Sequence, residues 1–201
     1  MYVPTRTNIK PFCMQIFKSI KKNTGIFILM SLLYAALYFL NNSLTGFLYL
    51  MPGAHLVHIP SGFKLLFVML ARWSAALAIA LVSFLNAYFV MFQGDVLLDF
   101  QLACVNGLTP LLTWLFFKHR FQLDENLGNI TFRNILSMGI FFALLNSSMN
   151  QLVLFWSGMQ NDFIQGFVVT AIGDLTGLYI VMSLIKLSFR LIQTEKAAKG
   201  L

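Results

Sequence analysis

The sequence predicts an all-α integral membrane protein: a polytopic bundle of about six transmembrane helices, the second of them short or broken, with both termini cytoplasmic. Two observations lead to this fold class. The 201 residues are 58% hydrophobic and 10% charged, whereas soluble domains have roughly 45–50% and about 25%. The basic residues cluster on one side of long apolar runs. This composition excludes disordered, collagenous and disulfide-stapled chains, and soluble nucleic-acid-binding domains.

The apolar residues fall into six runs along the chain. These runs cover residues 25–40, 44–57, 65–92, 96–117, 135–156 and 163–189. Most have the ~20 residues that span about 30 Å of hydrocarbon. The first is followed by Asn41-Asn42-Ser43 and not by a small-residue cleavage site, so it is interpreted as a retained anchor and not as a signal peptide.

The second run is the irregular one. It contains Pro52, which lacks a backbone donor, and Gly53, which favours non-helical dihedral angles. His55 and His58 lie one helical turn apart and could share a metal, but no Cys or carboxylate is near them in sequence, so a structural or interfacial role is favoured. We predict that residues 42–63 form the least regular part of the core.

The positions of the charges predict the orientation. With six crossings and a cytoplasmic N-terminus, the inner segments are 1–24, 58–64, 118–134 and the tail. They hold thirteen of the fourteen Lys and Arg residues, and the outer loops hold none, as the positive-inside rule requires. These clusters predict contact with anionic lipid at the cytoplasmic face and no binding of nucleic acid.

The chain is expected to form one membrane domain with two short flanks. A basic cytoplasmic or interfacial head covers 1–24, the bundle covers 25–190, and a short cytoplasmic tail covers 191–201. Enzyme signatures such as His-Glu-x-x-His and Gly-x-Ser-x-Gly are missing. Cys13 and Cys104 cannot easily meet, which predicts neither a disulfide nor a metal site. We expect no catalytic activity, no metal and no cofactor.

Two charges are predicted at membrane depth. Asp174 is twelve residues from both Asp162 and Lys186, or about 18 Å from either face at ~1.5 Å per residue. Arg72 is eight residues from Lys64, or about 12 Å below the inner surface. An unpaired charge at the bilayer centre costs at least ~2.5–3.5 kcal/mol, so we predict that Arg72 and Asp174 pair. The alternative is that Arg72 reaches the inner surface and Asp174 is protonated.

Amide side chains fall at similar depth at Asn106 and Asn146, and Asn150 and Gln151 lie a turn nearer the outside. They could join helices through hydrogen bonds worth roughly 0.6–2 kcal/mol each. They could also line a polar pocket that is reached from the outer face. The residue types leave both interpretations open.

Two short motifs resemble a known family. Pro60 and Gly62 form a Pro-x-Gly pattern, and Gly173, Asp174 and Gly177 form a Gly-Asp-x-x-Gly pattern in the last run. Both are similar to motifs of the membrane-associated sensor (MASE-type) domains of bacteria, and the order of elements agrees from about residue 34 to residue 189. The family commonly has about eight spans and is usually fused to a histidine-kinase or cyclic-di-GMP output domain, whereas this chain is expected to be freestanding.

The resemblance implies a non-catalytic, multi-pass protein of the bacterial inner membrane. It would bind a ligand or membrane partner through a polar intramembrane pocket and signal through a partner protein. The alternative is a transport protein, such as the substrate-binding subunit of an energy-coupling-factor transporter, because those subunits are also small basic bundles of about six spans. A kinase or cyclase partner would favour sensing, and an ATPase partner would favour transport.

Overall fold

The structure is a computed structural model that describes residues 9–51, 53–92, 95–124 and 127–198. Side chains are described within residues 23–187. Residues 1–8 and 199–201, which belong to the predicted head and tail, lie outside the described residues. The helices are α1 Ile9–Thr45, α2 Ile59–Asn86, α3 Val96–Phe121, α4 Phe132–Trp156 and α5 Phe163–Ala198.

The described part of the chain contains five helices that are long and apolar enough to cross a membrane. They cover Asn23–Leu48, Ile59–Met91, Val96–Phe121, Phe132–Trp156 and Phe163–Leu187. Large apolar side chains such as Leu32, Trp73 and Tyr179 are more than half exposed on the outside of the bundle, where lipid would cover them. The protein is therefore an all-helical, multi-pass membrane protein.

The second apolar run does not form a helix, which corrects the expected set of six helical spans. A 3-10 turn, Gly46–Leu48, leads into a two-stranded antiparallel hairpin of β1, Tyr49–Met51, and β2, Ala54–His55. Gly53 follows β1 with φ +72°, a conformation that glycine adopts without steric cost. The prediction that residues 42–63 are the least regular part of the core is confirmed.

The first apolar run and the basic residues from Lys10 to Lys22 lie in one helix. α1 is continuous from Ile9 to Thr45, so the backbone shows no boundary at residue 24. Tyr34 and Asn41 are buried, but most of the described side chains of α1 are exposed. α1 packs mainly against α2 and lies at the edge of the bundle.

The second helix folds back on itself at Arg72. This residue has φ 48° and ψ −119°, inside a segment that is helical on both sides. The ring of Tyr38 lies 5.8 Å from the ring of His58, and its hydroxyl lies 4.0 Å from Met91 Sδ. A straight helix would hold residues 58 and 91 about 50 Å apart. α2 and the π-helical turn that follows it therefore consist of a first arm, 59–71, and a second arm, 73–91.

The two arms pack on different neighbours. The backbone of His58 lies against Gly177, and Gly62 lies further along α5, against Val181. The first arm therefore runs in the same direction as α5. The second arm packs on α3, where a methyl group on Gly107 would lie 2.6 Å from the carbonyl oxygen of Ala76. The bend at Arg72 thus lies at the end of the bundle where α5 ends.

The remaining helices are antiparallel and locally capped. Asn106 faces Asn150 while Thr109 faces Asn146, so α3 and α4 run in opposite directions. Asp95 accepts a hydrogen bond from the backbone N–H of Leu98 at 3.0 Å and begins α3, and Thr131 caps α4 in the same way. Such caps satisfy backbone donors that have no partner within the helix.

Candidate ligand-binding site

Residues of the two family-like motifs lie against each other in the bundle interior. A methyl group on Gly177 would lie 2.6 Å from the carbonyl carbon of His58 and closer still to its oxygen, and one on Gly173 would be similarly close to His55. The N–H of His58 donates to the carbonyl oxygen of Gly173 at 3.1 Å. The absence of side chains at these glycines lets an extended segment lie directly on α5.

The start of the first arm is fixed by two further features. Pro60 stands in the first turn, where its fixed φ favours a helix start and its missing N–H has no cost. The side chain of Asn41, 3% exposed, accepts the N–H of Ile59 at 2.9 Å. Irregular backbone at membrane depth is tolerated only where protein or water satisfies its polar groups, and Gly173 and Asn41 supply that here.

Asp174 is buried between these elements and accepts three hydrogen bonds. Ser61 donates its hydroxyl to Oδ1. Asn146 donates to Oδ2 at 2.7 Å, and Ser147 donates to the same oxygen at 3.4 Å. The carboxyl group therefore joins α2, α4 and α5, and both of its oxygens are occupied.

The cation near Asp174 is Lys64, and not Arg72 as the sequence analysis predicts. Lys64 is 2% exposed; its ammonium group donates to Asn106 Oδ1 and interacts electrostatically with Asp174. Arg72 lies at the bend, eleven residues or about 16 Å along the helix from Ser61. The inner turn is expected at 58–64 from the charge pattern, whereas the chain reverses at Arg72, and this moves Lys64 into the interior.

Three amides connect the cation to the anion. Asn106 donates to Asn150 Oδ1 at 3.3 Å, Asn150 donates to Asn146 Oδ1 at 3.1 Å, and Asn146 donates to Asp174. Each amide accepts from the preceding group and donates to the next, so the chain of dipoles points one way from Lys64 to Asp174. We call Ser61, Lys64, Asn106, Asn146, Asn150 and Asp174 the polar network.

A cavity of about 70 Å³ borders the polar network. Its polar and charged lining residues are Tyr38, His55, His58, Lys64, Ser83, Asn86, Asn106, Asn146, Asn150, Thr170 and Asp174. The rest of the wall is apolar or glycine, and consists of Gly53, Ala87, Met91, Phe92, Leu102 and Leu154. The three amides predicted from sequence thus join helices and also line a pocket.

A larger pocket of about 390 Å³, which we call the vestibule, adjoins the cavity. The vestibule is lined by Tyr38, Asn42, Gly46, Tyr49, His55, Asn86, Val90 and Met91. Four of these residues also line the cavity. None of the eight carries a Lys, Arg, Asp or Glu side chain. The vestibule lies at the end of the bundle where α1 and the second arm end, opposite to the bend at Arg72.

Some polar atoms around the cavity lack a hydrogen bond within the described residues. Nδ1 of His55, a residue 7% exposed, has no partner. Oγ of Ser83 faces the hydroxyl of Tyr34, but the two do not form a hydrogen bond of normal geometry. An unsatisfied buried polar group costs about 1–3 kcal/mol, so these atoms are available to water or to a ligand.

Within the described residues, no group of three or more His, Cys, Asp or Glu side chains could hold a metal ion. The rings of His55 and His58 lie 5.9 Å apart, without a third ligand of these types among the described residues.

Four contributors to the site were not predicted from the sequence. Lys64 is expected in an inner loop, because the charge pattern places the inner turn at 58–64 and not at Arg72. Ser61 lies between Pro60 and Gly62, inside the motif that is singled out, and its position is the one signal that could have found it. Ser147 and Ser83 carry no signal, because serines inside apolar helices are common and often bond to their own backbone.

Comparisons with known proteins return no family model, no curated protein and no solved structure that matches this chain.

Proposed function

We propose that the protein is a non-catalytic, sensor-like protein of the bacterial inner membrane, which binds a small ligand in the cavity and signals through a partner protein. The observation that supports this is the polar cavity beside the buried charges of Lys64 and Asp174, which three amides connect. Charged groups at membrane depth are costly and are usually found at functional sites. A bundle that needed only stability would do as well with apolar side chains there.

The contact between the two motifs supports a MASE-type origin. Gly173 and Gly177 allow the close approach, Pro60 begins the first arm, and Asp174 receives the hydroxyl of the serine between Pro60 and Gly62. The motif residues therefore have a shared physical role. A ligand that moved the first arm would directly change the contact between that arm and α5.

The topology that we propose has six crossings, with both termini in the cytoplasm. The hairpin enters the bundle from the outer side, where His55 packs on Gly173. The hairpin and the first arm together make the second crossing, and the second arm makes the third. The bend then joins the inner side, together with the loop between α3 and α4 and the ends of α1 and α5. Thirteen of the fourteen basic residues are on that side, as the positive-inside rule requires, and they contact anionic lipid. The exception is Lys64, which is buried in the network.

Cysteine labelling in intact cells tests this topology. In a variant in which Cys13 and Cys104 are replaced by Ser, single cysteines are placed by Arg72→Cys, Gly128→Cys and Asn161→Cys. We expect a membrane-impermeant maleimide to label only position 161, and to label the other two positions after permeabilisation. Labelling of position 72 from the outside would overturn the six-crossing topology.

Co-purification in mild detergent tests the function. We expect the partner to carry a histidine-kinase or cyclic-di-GMP domain. The matched control is the double variant Lys64→Met/Asp174→Asn, which removes both charges of the network and leaves the surface unchanged. If the kinase or cyclic-di-GMP activity of the partner were the same with the parent protein and with the control, a role for the cavity in signalling would be contradicted.

The vestibule favours one other function, that of a transport subunit. A pocket that opens at the outer end of the bundle could capture a solute for delivery, as the substrate-binding subunits of energy-coupling-factor transporters do. In that case the co-purified partner would be an ATPase module with a scaffold subunit. If proteoliposomes that contain this protein and that module took up solute, the function would be transport and not signalling.

A further inference from the structure

We propose that the ligand of the cavity is a short-chain monocarboxylate of about two to four carbons, held by the ammonium group of Lys64. This inference rests on the proposed function, because it names the ligand class of the same cavity. Four features of the site support it: the free donors of Lys64, the occupied oxygens of Asp174, the neutral entrance, and the size and apolar wall of the cavity.

Lys64 has unused hydrogen-bonding capacity toward the cavity. An ammonium group has three N–H donors, and within the described residues one of them is used, by Asn106. Lys64 is also the only Lys or Arg among the residues described as lining the cavity. A carboxylate with its two oxygens could accept both remaining donors.

Asp174 offers less to a cationic ligand than Lys64 offers to an anion. Its two oxygens already accept hydrogen bonds from Ser61, Asn146 and Ser147, which use three of the about four acceptor positions of a carboxylate. A cationic ligand would compete for the remaining position and lie beside the ammonium group of Lys64. An anion is attracted by Lys64, and the three donors to Asp174 offset part of the repulsion from its carboxylate.

The entrance and the unsatisfied atoms fit the same ligand. The vestibule carries no Asp or Glu side chain that would repel an anion. Within the described residues, neither Ser83 Oγ nor His55 Nδ1 forms a hydrogen bond of normal geometry, and both residues line the cavity. Ser83 can donate to a carboxylate oxygen, because a hydroxyl serves as donor or acceptor.

The volume and the apolar wall set the length of the ligand. One water position needs about 10–15 Å³ of such a cavity, so 70 Å³ holds roughly five non-hydrogen atoms. Acetate has four, propionate five and butyrate six. The side chains of Leu102 and Leu154 line the wall and would contact a short alkyl chain, which gives a carboxylate an advantage over an inorganic anion.

Thermal unfolding of the purified full-length protein in non-ionic detergent tests the proposal. Sodium acetate, propionate and butyrate are titrated at constant sodium concentration and ionic strength. Sodium nitrate, sodium hexanoate, propionamide and propylammonium chloride are the comparison solutes. We expect the Tm to rise saturably with propionate or its neighbours and to change little with the comparison solutes.

Three variants assign the effect to the site. Ser83→Ala should weaken the apparent affinity for propionate about 5–10-fold, the loss expected for one hydrogen bond. Ser148→Ala is the matched control, because that hydroxyl bonds to the backbone of its own helix and should leave the affinity unchanged. The double variant Lys64→Met/Asp174→Asn keeps the net charge of the protein and should abolish the response.

The outcomes separate this inference from the proposed function. A larger rise with propionamide or propylammonium would show that the cavity binds a ligand but that the carboxylate assignment is wrong. An equal rise with nitrate would show that charge alone is recognised, which also overturns the assignment. No response to any carboxylate overturns the inference, while the partner experiment still decides the proposed function.

Discussion

Replacing Gly177 with alanine places a methyl group against the backbone that precedes α2. The new Cβ would lie 2.6 Å from the carbonyl carbon of His58 and 3.1 Å from the nitrogen of Ile59, where ordinary contacts begin at 3.4 Å. The segment must therefore retreat by about 0.8 Å or more, and a backbone cannot rotate away as a side chain can. Such overpacking costs about 1–3 kcal/mol.

Helix propensity offsets part of this loss. Alanine is more favourable than glycine inside a helix by roughly 0.8–1 kcal/mol, and Gly177 lies in the middle of α5. Because the clashing atoms belong to the backbone, the upper part of the overpacking range applies, about 2–3 kcal/mol. We therefore expect a net loss of about 1–2 kcal/mol in the free energy of unfolding. For a chain of this length, 1 kcal/mol corresponds to about 2–4 °C in Tm, so the Tm should fall by about 2–8 °C.

The assay is thermal unfolding of the purified protein in mild detergent, compared with Gly25→Ala. A methyl group on Gly25, in α1, would meet nothing within 4 Å, so this control should leave the Tm unchanged or slightly raised. If Gly177→Ala matched or exceeded the Tm of the parent, the close contact between His58 and α5 would be refuted. Equal losses in both variants would instead show a general cost of replacing membrane glycines.

Two further predictions concern the same region. Asn41→Ala should lower stability by about 1–2 kcal/mol, because it leaves the N–H of Ile59 without its acceptor; the exposed neighbour Asn42 gives the control Asn42→Ala, and equal Tm values for the two would contradict the contact. Lys64→Met and Asp174→Asn should each cost several kcal/mol, because each leaves one buried charge without its partner. The double variant should lose less than the sum of the two, and strictly additive losses would show that the charges are not coupled.

Much of the fold could be predicted from composition and run length. The scarcity of charged residues indicates that the protein lies in a membrane. The runs at 96–117, 135–156 and 163–189 correspond closely to α3, α4 and the membrane part of α5. The irregular region followed from Pro52 and Gly53. These features are local, since each depends on the chemistry of a continuous stretch of chain.

The bend in α2 could not be predicted in this way. Residues 65–92 form one apolar run, and the residue at the reversal, Arg72, is neither Gly nor Pro. Packing decides the position of the bend. The first arm packs on α5 at Gly177, and the second arm packs on α3 at Gly107. One straight helix cannot make both contacts. The cost of a positive φ at Arg72 is offset by these two contacts.

The sequence by itself determined that the protein is a helical membrane protein, that polar groups lie at membrane depth, and that Asp174 is one of them. Only the tertiary structure decided which cation lies beside Asp174. Depth estimates count residues from an assumed turn, so placing the turn at 58–64 made Lys64 a loop residue and Arg72 a buried one. The reversal at Arg72 depends on contacts with residues more than thirty positions away, and no pattern within the run itself specifies it.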